Sequence, residues 1–117
     1  MSTFADYSAA PYEVRMVQGD SLRETFVFRD ADGSLIDLTG FTFASQVRQS
    51  AAGSAVATFA IDTSEAASGR VSRSLGTADT GGLVGRFVHD FEVTEPDGSR
   101  RTLLGGAFVG VAEVTRG

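Results

Sequence analysis

Apolar and polar residues alternate with a period of two along most of this chain, which is typical of β-strands with one buried face. The clearest example is residues 86–94, where Phe87, His89, Phe91 and Val93 share one parity. Similar alternation predicts strands over residues 12–16, 22–29, 35–38, 41–48, 55–61, 70–75, 100–104 and 107–115. The pattern therefore predicts about eight or nine short strands.

Turn signals separate the predicted strands. Residues 30–34 and 96–99 both contain Asp-Gly-Ser, and glycine supplies the positive φ that a tight hairpin loop requires. We therefore expect positive φ at Gly33 and Gly98. Short strands joined by regularly spaced turns indicate an all-β fold, a two-sheet antiparallel β-sandwich that is immunoglobulin-like or jelly-roll-like.

Two segments depart from plain alternation. Residues 77–83 predict one helical turn with Thr77 as its N-cap, ended by the glycine pair that follows. In the last predicted strand Phe108 is out of step with the valines beside it, which predicts a β-bulge near Gly110.

Phenylalanine is the predicted filler of the core, because the chain has nine Phe and no Trp. Period-two placement predicts that much of the core comes from Phe26, Phe28, Phe43, Phe59, Phe87 and Phe91. The chain has no Cys, so its stability must come from packing and strand pairing rather than from disulfides.

Residues 1–11 are polar or small and show no such period. We interpret them as an extended N-terminal arm, and residues 12–117 as the β-sandwich domain. The arm and its junction contain spaced apolar anchors, Phe4, Tyr7, Pro11 and Tyr12. Ordering a backbone costs about 1–2 kcal/mol per residue. We therefore expect the arm to gain compensating contacts from a neighbouring subunit.

Composition narrows the range of functions. The absence of Cys excludes thiolate zinc sites and cysteine nucleophiles. A net charge of −5 disfavours a nucleic-acid partner, which would need a basic face to neutralise phosphates. No apolar run approaches the ~20 residues that span a bilayer. The N-terminus also lacks the basic start and apolar run of a signal peptide, so we expect synthesis in a cytoplasm and no membrane partner.

Candidate catalytic and metal-binding residues are few. His89 is the only histidine, and its neighbours of equal parity are phenylalanines, which favours a core or interface position over a catalytic one. Asp30 and Asp32 resemble the start of a calcium loop, but the twelfth position, a Glu in EF-hands, is Phe41. We therefore expect no catalytic residue, no cofactor and no metal.

Several segments taken together resemble the N-terminal domain of siphophage upper baseplate proteins and related small phage tail proteins. The matching stretches are residues 18–21, 26–33, 36–41, 91–98 and 103–106, in this order. The resemblance implies a β-sandwich that docks onto other virion proteins. In that family the sandwich commonly leads into a helix or fibre, whereas this chain stops soon after its last predicted strand. We therefore expect a stand-alone module.

These observations favour a non-enzymatic bacteriophage virion structural protein, made in the host cytoplasm and forming a homo-oligomer in the particle. Tail or baseplate attachment is the first interpretation, and capsid decoration (a cement protein) is the alternative. A carbohydrate-binding module is a further alternative, although most aromatic residues alternate as core residues. Arg100 and Arg101 form a charge pair beside a turn, which predicts either a solvated loop or a contact to an acidic neighbour.

Overall fold

Two β-sheets face each other, as the period-two pattern predicts. The computed structural model describes residues 9–114. Its strands are β1 (Ala10–Pro11), β2 (Val14–Val17), β3 (Leu22–Val27), β4 (Thr42–Ala44), β5 (Gln46–Arg48), β6 (Ala55–Thr58), β7 (Ala60–Asp62), β8 (Arg70–Leu75), β9 (Gly85–Thr94) and β10 (Arg100–Val111). A 3₁₀ turn, Ala66–Ser68, precedes β8, and one helical turn, α1 (Thr77–Thr80), follows it.

The larger sheet is built around the long antiparallel pair β9 and β10. On one side β1 and β2 both pair with β10 in parallel, and on the other β4 and β5 both pair with β9, with β6 beyond β5. The smaller sheet has the antiparallel order β3-β8-β7. The predicted sandwich is confirmed, with parallel pairing only where β1 and β2 join β10. The strand orders β3-β8-β7 and β10-β9-β5 match the two sheets of an immunoglobulin-like arrangement rather than a jelly roll.

Three strand predictions were wrong. Residues 41–48 form two short strands, β4 and β5, which both pair with β9 but are interrupted at Ser45, where the Gln46 amide bonds to the Asp90 side chain. Residues 55–61 do not form one strand, because the chain crosses between the sheets at Phe59: β6 pairs with β5, and β7 pairs with β8. Residues 35–38 form only an isolated bridge, between Leu35 and Arg29. The alternation of apolar and polar residues does not reveal this crossing, because Phe59 and Ile61 face inward on both sides of it.

The last strand also differs from its prediction. β10 runs without interruption from Arg100 to Val111, and its register shifts between Thr102 and Leu104 rather than near Gly110. A bulge lets consecutive side chains face one way, and Leu103 and Leu104 are both buried.

The short helix and the turns are close to expectation. Gly76 lies at the N-cap position of α1, in extended conformation, so the prediction of Thr77 as the cap was wrong by one residue. Gly33 and Gly98 have φ of +90° and +91°, which confirms the two hairpin turns.

The core consists of two apolar clusters. The first contains Val14, Met16, Val47, Ala57, Phe59, Leu75, Leu83, Phe87 and Phe108. The second contains Leu38, Ala66, Val71, Phe91, Val93, Leu103 and Leu104. Of the predicted phenylalanines, Phe59, Phe87 and Phe91 are buried, while Phe26, Phe28 and Phe43 pack half-buried against the second cluster.

The sheet begins earlier than the predicted domain boundary. Ala10 and Pro11, assigned to the arm, form β1 and pair with Leu104 and Gly105 of β10. Phe4 and Tyr7 lie outside the described residues. The intersubunit arm therefore stays a prediction.

Candidate functional site

A fully buried arginine lies between the two sheets. In β8 the inward positions alternate as Val71, Arg73 and Leu75, so the guanidinium group points into the sandwich. The exposed fraction of Arg73 is 0%. Since a buried charge is costly unless it is paired and hydrogen-bonded, the surroundings of Arg73 determine whether the fold tolerates it.

The first partner of Arg73 is Glu24, directly opposite on β3. Arg73 Nε donates to Oε1 of Glu24 at 2.8 Å, and Nη2 lies 2.7 Å from the same oxygen. Nη2 makes no hydrogen bond with any of the described residues, so its contact with Glu24 is an ion pair only. Glu24 is itself mostly covered, with 16% of its side chain exposed. The pair is thus a charged contact largely withdrawn from solvent.

The remaining donors of Arg73 reach across to the larger sheet. Nη1 lies 2.9 Å from the hydroxyl of Ser45, 3.3 Å from the carbonyl oxygen of Asp90 and 3.2 Å from Nδ1 of His89. Ser45 lies between β4 and β5, and its hydroxyl donates to the same Asp90 carbonyl. One side chain therefore joins both sheets through polar contacts.

His89 is held at both ring nitrogens. Arginine can only donate hydrogen bonds, so Nδ1 accepts from Arg73. Nε2 then carries the proton and donates to the carbonyl oxygen of Tyr12 at 2.6 Å. Burial lowers the pKa of His89, and the Arg73 charge adds to this, while the bond to Tyr12 opposes it. The predicted core position of His89 agrees with its 4% exposure.

Tyr12 closes the network at its solvent edge. Its hydroxyl donates to Oε2 of Glu24 at 2.5 Å, and its amide donates to the carbonyl of Gly105 at 3.0 Å. The bond to Glu24, followed by burial, raises the pKa of Tyr12. This residue, predicted as an arm anchor, packs edge-on against Phe26 and His89 of its own sandwich.

Aromatic rings complete the surroundings of the guanidinium. Its carbon lies 4.3 Å from the ring centre of Phe59, and the rings of Phe26, Phe91 and Tyr12 follow at 5.4, 5.7 and 5.9 Å. A ring face attracts a nearby cation. The rings thus add an electrostatic contribution to the apolar packing around Arg73.

A cleft of about 310 Å³ is lined by the same strands. Its walls include Arg48, Val88, Asp90 and Gly106. The guanidinium of Arg48 donates to the carbonyl of Gly53 at 2.7 Å, which holds it in place. The cleft is therefore a small recess with charged side chains in its wall.

Of the other predicted interface residues, Pro11 adjoins this network at Tyr12 and the two arginines lie apart from it. Pro11 is exposed in β1. Arg100 lies 3.7 Å from Glu92 with 70% of its side chain exposed, and Arg101 donates to the carbonyl of Arg100. Both arginines lie at the turn end of the β9–β10 hairpin, where they pair with Thr94 and Val93. Tyr12 bonds to Gly105, further along β10.

The acidic residues considered for calcium serve the turn instead. Oδ1 of Asp30 and Oδ1 of Asp32 both accept from the amide of Ser34, each at 3.0 Å. Within residues 9–114 no three His, Asp or Glu side chains form a group that could hold a metal ion. In the same range no helix is long and apolar enough to cross a membrane.

Comparison with known proteins gives a likeness of fold only. No protein-family model matches the chain, and no curated protein matches its sequence. The chain is similar to a chain in a crystal structure of ICOS in complex with ICOS-L and an anti-ICOS-L VNAR domain, with 12% identity and a TM-score of 0.46. The match covers 90% of this chain and 56% of that chain.

Proposed function

We propose that this protein is a non-enzymatic structural component of a bacteriophage virion, which docks onto other virion proteins in the tail or baseplate. The assignment to phage rests on the ordered strand-turn-strand segments that resemble upper baseplate proteins. The observation that carries the structural role is the interior network, in which the buried Arg73 is bonded to Glu24 on one side and to His89 on the other. These three side chains stabilise the fold, and surface residues make the contacts with other virion proteins.

The surface offers apolar side chains for such docking. Val17 and Val111 are adjacent in the parallel β2–β10 register and are 41% and 39% exposed. Val56, on the outer strand β6, is 40% exposed. Exposed apolar side chains beside sheet edges favour a protein that assembles with partners.

The test is to locate the protein in particles grown from the genome that encodes it. We expect it in density-purified virions, at a constant ratio to the major capsid protein, and in the tail fraction after heads and tails are separated. An abundant cytoplasmic host protein, followed in the same fractions, controls for carry-over. Recovery with the heads would favour capsid decoration, and loss during purification would contradict a virion role.

Deletion of residues 2–9 tests the arm while leaving β1 intact. We expect the shortened protein to fold, because Ala10 and Pro11 still pair with β10, and to enter particles less well than the full chain when both are supplied together. Far-UV circular dichroism and thermal unfolding of the deleted protein provide the folding control. Equal incorporation of the two forms would contradict docking through the arm.

A further inference from the structure

We propose that His89 is an acid-sensitive anchor for the N-terminal strand: its neutral imidazole fastens the Tyr12 carbonyl, and protonation of that imidazole detaches β1 from β10. The anchor is a property of the isolated chain, so it can be tested without any virion partner.

The geometry leaves no place for a second proton on the ring. Nδ1 of His89 lies 3.2 Å from Nη1 of Arg73, and Nε2 lies 2.6 Å from the carbonyl oxygen of Tyr12. A proton added at Nδ1 would make that nitrogen a donor facing the Nη1 donor of Arg73. It would also place the positively charged imidazolium next to the guanidinium. Such a contact is unfavourable where solvent is largely excluded.

The arginine cannot easily withdraw from this conflict. It is tied to Glu24 on one side and to Ser45 on the other, and the ring of Phe59 lies over its guanidinium at 4.3 Å. The N-terminal segment is held by fewer groups: Tyr12 is bonded to Gly105, Glu24 and His89, and only β1 precedes it in the described chain. β1 contains only two residues, both exposed, and it pairs with β10 alone. The imidazolium would still donate to the Tyr12 carbonyl, and this bond opposes release, but burial and Arg73 together outweigh it. Protonation should therefore displace the N-terminal segment, which can reach solvent, rather than the enclosed Arg73.

The other charged groups near the imidazole do not cancel this effect. Glu24, beyond Arg73, and Asp90, the next residue on β9, both favour protonation, but burial and Arg73 together keep the pKa below its ordinary value. The strand neighbours opposite His89 are Gly106 on β10 and Val47 on β5, neither of which is charged. Arg48 lines the same cleft as His89, and its guanidinium donates to Gly53 and Gln46. The phenol of Tyr12 is neutral and bonded to Glu24.

Release of Tyr12 removes the cover from the ring. The carbonyl of Tyr12 lies over Gly106, where an added Cβ would be 2.9 Å from that oxygen. Once the segment leaves, His89 meets solvent and regains a more ordinary pKa. The open state then binds a proton more readily, so opening becomes easier as pH falls. For one linked proton, the opening constant rises about tenfold between about pH 7.5 and about pH 5.5.

Nuclear magnetic resonance of ¹⁵N-labelled protein tests the anchor. Because the chain has one histidine, the imidazole signals give its tautomer and its titration midpoint without assignment ambiguity. Hydrogen exchange of the Tyr12 amide, corrected for intrinsic rates, reports opening of β1. The Phe26 amide on β3 provides the reference for opening elsewhere.

We expect the Nε2–H tautomer, a midpoint below the ordinary histidine value, and Tyr12 protection that falls with the imidazole titration while that of Phe26 does not. In His89→Gln, which keeps an amide donor but does not titrate, the pH dependence at Tyr12 should vanish. In Gly106→Ala, which displaces the Tyr12 carbonyl sterically, the His89 midpoint should rise.

A midpoint at or above the ordinary value, or Tyr12 exchange that ignores the titration, would overturn the proposal. If neither variant folds, the wild-type measurement still decides. The proposal then requires that the imidazole titrates and the Tyr12 amide loses protection over the same pH range. Loss of protection at the Phe26 amide over that range would mean that the whole protein unfolds, which contradicts release of the strand alone.

Discussion

Gly110 is the position on β10 where a side chain has the least room. An added Cβ would lie 1.7 Å from the carbonyl oxygen of Leu83 and 3.2 Å from the terminal methyl group of Met16. The backbone at Leu83 cannot yield as a flexible side chain would. This close approach explains why a glycine interrupts the apolar pattern of the last strand.

We therefore expect Gly110→Ala to lower the free energy of unfolding by at least the ~1–3 kcal/mol typical of overpacking. Urea denaturation measures the effect. Gly82→Ala is the matched control, because the nearest atom to its added Cβ is 3.9 Å away and its φ is not positive. Equal stability of the two variants would show that the Leu83 loop moves freely.

Phe91 carries the most direct test of the predicted core. It is fully buried in the second cluster and its ring centre lies 4.9 Å from that of Phe26. Phe91→Ala should reduce the free energy of unfolding by about 3–5 kcal/mol. Val27→Ala, at a 46% exposed position on β3, should change it by no more than about 0.5 kcal/mol. An unchanged melting temperature for Phe91→Ala would contradict the packing.

The charged interior was not predicted, although charged residues at inward positions of two predicted strands could have indicated it. Arg73 shares its parity with Val71 and Leu75, and Glu24 shares its parity with Leu22 and Phe26. Two opposite charges at inward positions of two predicted strands are a signal for a buried pair. Which strands are neighbours could not be known without the topology, so the sequence alone could not join them.

At the scale of elements, the Arg73 side chain links β8 and β3 of the smaller sheet to β9 of the larger one. Removing one member of a buried pair leaves the other charge uncompensated. Arg73→Met should therefore lower the free energy of unfolding by about 3–5 kcal/mol, as measured by urea denaturation.

The double variant Arg73→Met, Glu24→Leu separates pairing from packing. Because it removes both charges, it should be more stable than Arg73→Met alone. Glu24→Leu alone completes the cycle and measures the coupling between the two side chains. If the losses of unfolding free energy in the two single variants sum to the loss in the double variant, Arg73 and Glu24 act independently.

The elements that alternation predicts best are β8 and β9. β8 has the predicted limits, residues 70–75, and β9 begins one residue early, at Gly85. Alternation failed at Phe59, because a strand can change sheets without changing which residues are buried. It also failed at Leu103, where the bulge places two consecutive leucines inside.

At the scale of the whole molecule, polar residues organise both the centre and the ends of the sandwich. The Arg73 network is bordered by residues of both apolar clusters, with Phe59 from the first and Phe91 from the second. At the ends, one short motif recurs in the turns: an Asp accepts a hydrogen bond from the amide two residues later. It occurs at Asp30–Asp32, Asp32–Ser34, Asp37–Thr39, Asp62–Ser64 and Asp97–Ser99, over 2.8–3.1 Å.

These turn carboxylates make the stability of the protein sensitive to acid. Hydrogen bonds from Ser64, followed by the contact with Arg23, lower the pKa of Asp62 from 3.8 to about 2. Hydrogen bonds from Ser99 lower the pKa of Asp97, with the same sign. A group whose pKa is lower in the folded state stabilises the fold above its unfolded pKa. That contribution is lost as the pH falls from about 4 toward about 2.

We therefore expect the urea midpoint to decrease over that range, which lies below any change due to His89, by a small amount because these exposed carboxylates are screened by solvent. The double variant Asp62→Asn, Asp97→Asn should flatten the decrease, because asparagine keeps an acceptor oxygen for the turn but does not titrate. Asp79→Asn is the matched control, since the Asp79 side chain in α1 accepts no such turn bond within the described part of the chain. If the double variant and the control kept the same slope, the turn carboxylates would not be the source of acid sensitivity.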